Sequence, residues 1–241
     1  MNKYLEKKHY KNGEIISLLI EDLYRKYNYK NVLFVRTPTT GGWMDKLLKK
    51  EKIITRFLYD TKKAKIVDYH KSTIIVESEK LEAKINFLNK KFDLICIDPF
   101  HEYKESKRDF FYFSSLLSEQ GILISHDCYP KKKSMTSSKF KLGSWCGQTY
   151  AALVKFAYKN KDLFYAVLNV DTGIGIISKQ QINLFNNNLK NNLDREKQKQ
   201  FLQLMNEKSK EMYSFYCVNS KQIINSIDVN SIDTIEQSVN L

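Results

Sequence analysis

The stretch Lys91–Pro130, KFDLICIDPFHEYKESKRDFFYFSSLLSEQGILISHDCYP, constrains the fold more than any other part of this 241-residue chain. Phe92–Ile97 is a short apolar run rich in β-formers, which reads as a buried strand ending at Asp98-Pro99. Tyr103–Ser118 carries a helical period, with Phe110, Phe113, Leu116 and Leu117 on one face. Gln120-Gly121 is expected to break that helix. Ile122–Ser125 reads as a second buried strand, ending at His126-Asp127. Strand, helix and strand at this spacing make a parallel βαβ unit.

Polar residues sit where such a unit binds ligands. Asp98 and His101 follow the carboxyl end of the first strand, and His126 and Asp127 follow that of the second. In an open parallel sheet those ends are neighbours. Two of the four histidines of the chain therefore converge with two carboxylates on one edge. An imidazole titrating near neutrality suits general-base work, and carboxylates suit a divalent cation. No G-x-S-x-G elbow is present, which argues against a Ser–His–Asp hydrolase.

The remainder of the chain extends the same architecture. Glu14–Tyr27 has the spacing of an amphipathic helix, with Ile15, Ile16, Leu19, Leu23 and Tyr24 on one side. Asn31–Arg36 reads as the first strand, Trp43–Lys50 as a helix, and Ile53–Tyr59 as the second strand, ending at Asp60. Ser72–Val76 is expected as the third strand, followed by Glu77-Ser78 and a short helix over Leu81–Leu88. After Asp127 comes a basic, Ser-rich loop through Lys141, which fits a substrate lid that attracts phosphate. Tyr150–Tyr158 is the next helix, with Trp145 before it as a wall for the acceptor pocket. Phe164–Val170 and Ile174–Ile177 form a hairpin across Asp171-Thr172-Gly173. From Lys179 the composition turns Asn-rich, with a helix expected over Leu193–Phe215. This divides the chain into a domain at 1–180, with an N-terminal helical region at 1–30, and an extension at 181–241. The extension is expected to serve self-association into a homo-oligomer or to cover the sheet.

Bulk properties narrow the class. The net charge of +13 comes from lysines spread along the chain, not gathered in a stripe, so no dedicated nucleic-acid site is expected. An anionic small substrate fits that charge equally well. No apolar run is long enough to span a bilayer, and the first residues lack a signal-peptide core, so a cytoplasmic protein is expected. The four cysteines have no CxxC spacing and read as reduced thiols.

FDLICIDPFHEY with LLSEQGILISHD resembles the corresponding pattern of class I S-adenosylmethionine-dependent methyltransferases, in the branch of bacterial sugar and antibiotic O-methyltransferases. The resemblance covers about forty residues. It departs from the pattern at Pro99, Phe100 and Gln120, and, in the cofactor loop VLFVRTPTTGGWMDKL, at Phe34 and Arg36. It implies a Rossmann-like, doubly wound, mostly parallel seven-stranded sheet with an antiparallel C-terminal hairpin strand and a helical appendage. The resemblance further implies S-adenosyl-L-methionine bound by Arg36, Thr37, Gly41, Gly42, Asp60, Glu77, Ser78 and Asp98. Asp60 is placed for the ribose hydroxyls, and Glu77 or Ser78 for the adenine. Catalysis falls to His101 as base, with Asp98 and His126, and Asp98 and Asp127 become candidate ligands for Mg2+; Mg2+, Mn2+ and no metal remain open. The implied activity is O-methylation of a sugar or phosphoryl-modified, nucleotide-linked glycan acceptor, a precursor of a bacterial capsule or lipooligosaccharide. The altered loop leaves an alternative, in which the same fold binds or scaffolds a partner or uses another donor.

Overall fold

The computed structural model describes residues 14–36, 43–44, 54–60, 73–77, 90–98, 100–184 and 187–228, with 54–60 and 73–77 described by their backbone alone. The helices expected over 43–50 and 81–88 lie outside these residues, apart from Trp43 and Met44. In chain order the elements are α1 (Glu14–Tyr27), β1 (Val32–Arg36), β2 (Ile54–Asp60), β3 (Thr73–Glu77) and β4 (Phe92–Asp98). Then come α2 (Tyr103–Ser115), β5 (Leu117–Ser125), α3 (Thr149–Lys159), β6 (Phe164–Leu168) and β7 (Ile174–Ser178). The extension adds β8 (Asn183–Leu184), β9 (Asn187–Asn188), α4 (Arg195–Asn206), α5 (Met212–Ile224) and β10 (Ser226–Ile227).

The main sheet has the order β10-β6-β7-β5-β4-β1-β2-β3. Strands β3, β2, β1, β4 and β5 run parallel, whereas β7 pairs antiparallel with both β5 and β6. All seven expected strands are present. An eighth, β10, comes from the extension and pairs parallel with β6 through Ser226 and Ile227. Side chains alternate across the sheet with the period of a strand. Leu33, Val35, Ile95, Ile97 and Leu123 face a core closed by α2, α3, α4 and α5. Val32, Phe34, Leu94, Cys96, Ile122 and Ile124 face the opposite core, which contains the Ile16, Leu19 and Leu23 stripe of α1. Runs apolar at every position are what a sheet covered on both faces requires.

Two boundaries differ from the sequence expectation. Helix α2 ends at Ser115, and Leu117 already lies in β5. Gly121 does not stop a helix; it sits where the β4–β5 register slips, and its Cα faces the Phe92 carbonyl, with an added Cβ only 2.8 Å from that oxygen. The single helix expected over Leu193–Phe215 is two helices. Asp194 caps α4 by accepting from Lys197 N–H at 3.0 Å, and Lys208 in the left-handed region (φ 53°) closes off its C-terminal end.

The extension is woven into the core. Leu193, Phe201, Leu202, Tyr216, Ile223 and Ile224 are buried with the residues of α2 and α3. Arg195 donates to the Ala157 carbonyl at 2.8 Å, and Asn225 to the Tyr165 carbonyl at 3.0 Å. The four cysteines are free thiols. Among the described residues, no helix is long and apolar enough to cross a membrane.

Candidate active site

Parallel pairing brings the strand ends together. Arg36 at the end of β1 lies in register with Asp98 at the end of β4, and Ile97 pairs with Ser125 at the end of β5. Asp98, His101, His126 and Asp127 therefore converge, all four buried. His101 Nε2 lies 3.1 Å from Asp98 Oδ1 and 3.0 Å from Asp127 Oδ2. Its Nδ1 lies 2.6 Å from the Trp145 carbonyl oxygen. A carbonyl only accepts, so Nδ1 carries the hydrogen and Nε2 is the nitrogen turned to the carboxylates.

The second histidine is held in the same way. His126 Nε2 meets Asp171 Oδ2 at 3.0 Å and the Thr172 hydroxyl at 3.2 Å. Its Nδ1 faces Asp127 Oδ2 at 3.4 Å and Asp98 Oδ2 at 3.9 Å. Trp43 donates its indole N–H to Asp98 Oδ2 at 3.2 Å. Each imidazole thus has one nitrogen tied to the surrounding scaffold and the other turned toward Asp98 and Asp127.

Burial lowers the pKa of both imidazoles, but the carboxylates outweigh it. The Asp98 hydrogen bond and the Asp127 charge raise His101, and Asp127 and Asp171 raise His126 well above its usual value. Burial would raise Asp127, yet the His126 charge beside it holds its carboxyl well below the usual range. Burial, and then the Asp127 charge, push the Cys146 thiol far up, so it stays protonated beside Asp127.

Backbone geometry fixes this arrangement. Asp127 and Asp171 both lie in the left-handed region, with φ of 59° and 54°. The β6–β7 turn clamps the segment after Asp127: Cys128 N–H donates to the Gly173 carbonyl at 3.0 Å and Tyr129 N–H to that of Thr172 at 2.8 Å. On the other side Tyr216 of α5 donates its hydroxyl to the Cys128 carbonyl at 2.7 Å. Gly147 (φ +55°) packs directly on the backbone of His101, whose carbonyl accepts from Gln148 N–H at 2.6 Å.

The basic loop is shaped by its own contacts. A 3-10 turn over Lys133–Thr136 buries Met135, whose carbonyl accepts from both Cys146 and Gly147 N–H at 3.0 Å. Lys131, Lys132, Lys133, Lys139 and Lys141 are exposed. Trp145 is buried against His101, with ring centroids 5.3 Å apart. Phe100 and Phe140 stand against Trp145 at 5.4 and 5.3 Å, and Phe140 is 55% exposed. A cavity of about 540 Å³ opens elsewhere, along β10 between Asn169, Lys190, Lys221 and Asp228, and none of the four converging acid–base residues lines it.

The structure brings together Asp98, His101, His126 and Asp127 as the sequence suggests. Asp60 and Glu77 lie at the carboxyl ends of β2 and β3, paired in register with each other. Thr37, Gly41, Gly42 and Ser78 lie outside the described residues. Sequence reasoning took Asp171 for a turn residue only, and overlooked Thr172, Cys146 and Trp43 at the site. Only the hairpin after β6 carries Asp171 to His126, and no local pattern announces that contact.

The strand order and the polar strand ends define a Rossmann-like α/β fold with its site at the carboxyl edge of β4 and β5. Comparison with solved structures agrees on the fold. A Staphylococcus aureus protein described as a caffeoyl-CoA O-methyltransferase is 20% identical, with a TM-score of 0.50, over 69% of this chain and 84% of its own. The Podospora anserina methyltransferase PaMTH1, solved with SAH bound, is 14% identical, with a TM-score of 0.44, over 70% and 80%. No protein-family model and no curated protein matches the chain.

Proposed function

We propose that the chain is an S-adenosylmethionine-dependent O-methyltransferase. The observation that carries this reading is the convergence of Asp98, His101, His126 and Asp127 beside the end of β1, in a sheet that runs β3-β2-β1-β4-β5-β7-β6. S-adenosylmethionine, when bound, supplies a methyl group on a sulfonium. The protein's part is to align an acceptor oxygen with that methyl and to take the hydroxyl proton. In this reading Asp60, at the end of β2, would bind the ribose hydroxyls, and Arg36, Thr37, Gly41 and Gly42 would bind the amino-acid end. Glu77 or Ser78 would contact the adenine. Asp98 and Asp127 would hold a divalent cation, which lowers the pKa of a hydroxyl bound to it.

The resemblance makes His101 the base, with Asp98 and His126 beside it. His101 Nε2 lies between Asp98 and Asp127, and His126, backed by Asp171 on one nitrogen, turns the other to the same two carboxylates. For the acceptor, Phe100, Phe140 and Trp145 offer ring faces beside the site, and the exposed lysines of the loop offer partners for phosphate. A sugar hydroxyl on a phosphorylated or nucleotide-linked glycan precursor suits both. His101→Gln is expected to lower turnover of such an acceptor by about 100- to 10,000-fold, while binding of S-adenosylmethionine changes little. Equal turnover in the variant would move the role to His126.

Phe34 favours a second reading, in which the fold uses another donor or binds a partner. It occupies the family's acidic position yet is only 2% exposed within the core. Calorimetric titration of the stripped protein with S-adenosylmethionine and S-adenosylhomocysteine separates the two. Micromolar binding, weakened at least about tenfold in Asp60→Ala, is the expected result; a ribose hydrogen-bond pair of this kind is worth about 1.5–3 kcal/mol. Absence of heat with either ligand would leave only the second reading.

A further inference from the structure

We propose that the loop from Lys131 to Leu142 docks this chain on an anionic lipid bilayer, with Phe140 and Leu142 entering the headgroup layer and the lysines meeting its phosphates. Lysine is spread along the whole chain, but here it is concentrated. Five of the eleven residues from Lys131 to Lys141 are lysine, and no acidic residue occurs between Asp127 and Asp162. All five lysines are exposed. The tip alternates charge with apolar bulk, as Lys139-Phe140-Lys141-Leu142. Phe140 is 55% exposed and Leu142 is 95% exposed, the most open large apolar side chain among the described residues. A single apolar residue on a surface needs no explanation. Two of them, one residue apart within a cationic loop, make a surface with a partner to match.

The loop is fixed to the body of the protein, so the tip stays presented. The Trp145 indole N–H donates to the Ser137 carbonyl at 2.7 Å, and the Gln148 side-chain amide to that of Thr136 at 2.8 Å. Ser137 also ties down Lys139, donating to its carbonyl at 2.8 Å and accepting from its N–H at 3.2 Å. Lys133 donates to the Lys210 carbonyl at 2.9 Å, which joins the loop to the turn before α5. Leu142 therefore pays hydration with no packing in return, and burial in a bilayer would supply what is missing. Of the anions that five lysines attract, only a bilayer also takes the apolar tip. A free phosphate or nucleotide leaves Leu142 in water, and a nucleic-acid strand could stack on Phe140 but offers Leu142 nothing. Surface attachment draws on basic charge together with inserted apolar area, and this loop carries both. Phe140 stacks on Phe100 with ring centroids 6.3 Å apart and stands 5.3 Å from Trp145, itself 5.3 Å from His101. A line of rings thus joins the docking tip to the candidate site. Docking needs no methyl donor, so it stands whether or not that donor is S-adenosylmethionine.

The test sediments the full chain with vesicles of phosphatidylcholine alone and with vesicles that also contain phosphatidylglycerol, in the absence of any methyl donor. The expected result is partition onto the anionic vesicles only, weakening as salt is raised. Leu142→Ser is expected to lower that partition at least about tenfold, with an unchanged melt because the side chain is in water. Lys131 and Lys133 are bonded to Asn169 and Lys210, so the charge variant uses the other three lysines. Replacing Lys132, Lys139 and Lys141 together by Gln is expected to cost about 100-fold, at about fivefold for each lysine near the surface. No partition of the folded wild-type chain onto either vesicle would overturn the proposal, as would equal partition onto both. Full binding in Leu142→Ser with loss in the lysine variant would show plain attraction to anions. Titration with inorganic pyrophosphate and with a single-stranded oligonucleotide would then name the occupant in place of a bilayer. Donor binding is read in its own titration, so this proposal and the methyltransferase reading fail independently.

Discussion

A chain cut after Ser178 is expected not to fold. Such a chain retains the seven strands of the family pattern and every proposed site residue, so the sequence division at residue 180 suggests it should stand alone. Packing argues otherwise. Leu193, Phe201, Leu202, Tyr216, Ile223 and Ile224 all belong to the core built on α2 and α3. Burying a large apolar side chain contributes about 1.5–3 kcal/mol, so together these six contribute on the order of 10 kcal/mol. That matches the whole net stability of an ordinary domain, about 5–15 kcal/mol. The cut also strips cover from Tyr150, Phe156 and Tyr165, and removes the hydrogen bond that Tyr216 gives Cys128 beside the site. Circular dichroism should show no cooperative melt, and a hydrophobic dye should bind strongly. A sharp transition within a few degrees of the full chain would show that the extension is a true appendage.

Gly147→Ala is expected to cost about 3 kcal/mol and to disturb His101, while Gly143→Ala costs about 1. Both glycines have left-handed backbone, at φ +55° and +95°. An L-residue in that region costs roughly 1–2 kcal/mol, and this term applies to both. The difference lies in space. An added Cβ at Gly143 meets nothing within 4 Å, whereas at Gly147 it collides with the carbonyl oxygen of His101 and lies 2.7 Å from its Cβ. Backbone cannot swing aside like the tip of a side chain, and overpacking of this kind costs about 1–3 kcal/mol more. Urea unfolding of both variants measures the difference. Ion uptake or ligand binding then reports whether His101 has moved. Equal stabilities would mean that the loop over Lys133–Thr136 yields easily and does not hold the histidine.

Much of this was legible along the chain. Continuous apolar runs announce strands covered on both faces, and the 3.6-residue period of Glu14–Tyr27 announces α1 to the residue. Asp98, His101, His126 and Asp127 could be gathered because parallel strands align their carboxyl ends. What was not legible depends on contacts between distant segments. Leu117 looks helical from its neighbours, yet it pairs with Phe92. The polar Asn-rich tract gives no sign of the β8–β9 pair. Asp171 reads as a turn former, and its second use, holding His126, exists only once β7 lies between β5 and β6. Likewise, Trp145 contributes its backbone carbonyl to His101, which no side-chain pattern can signal.

The left-handed backbone at Asp127 and Asp171 has a consequence for how mutagenesis of this centre must be read. Aspartate and asparagine tolerate that conformation better than other residues with a side chain. Alanine at either position removes a carboxylate and also strains the very turn that presents it. An alanine scan would therefore merge two effects and overstate the chemistry of both residues. Asparagine keeps shape and backbone while deleting the charge, and glycine keeps the backbone while deleting the whole side chain. Read as a trio, asparagine, glycine and alanine separate what the carboxylate does from what its perch does.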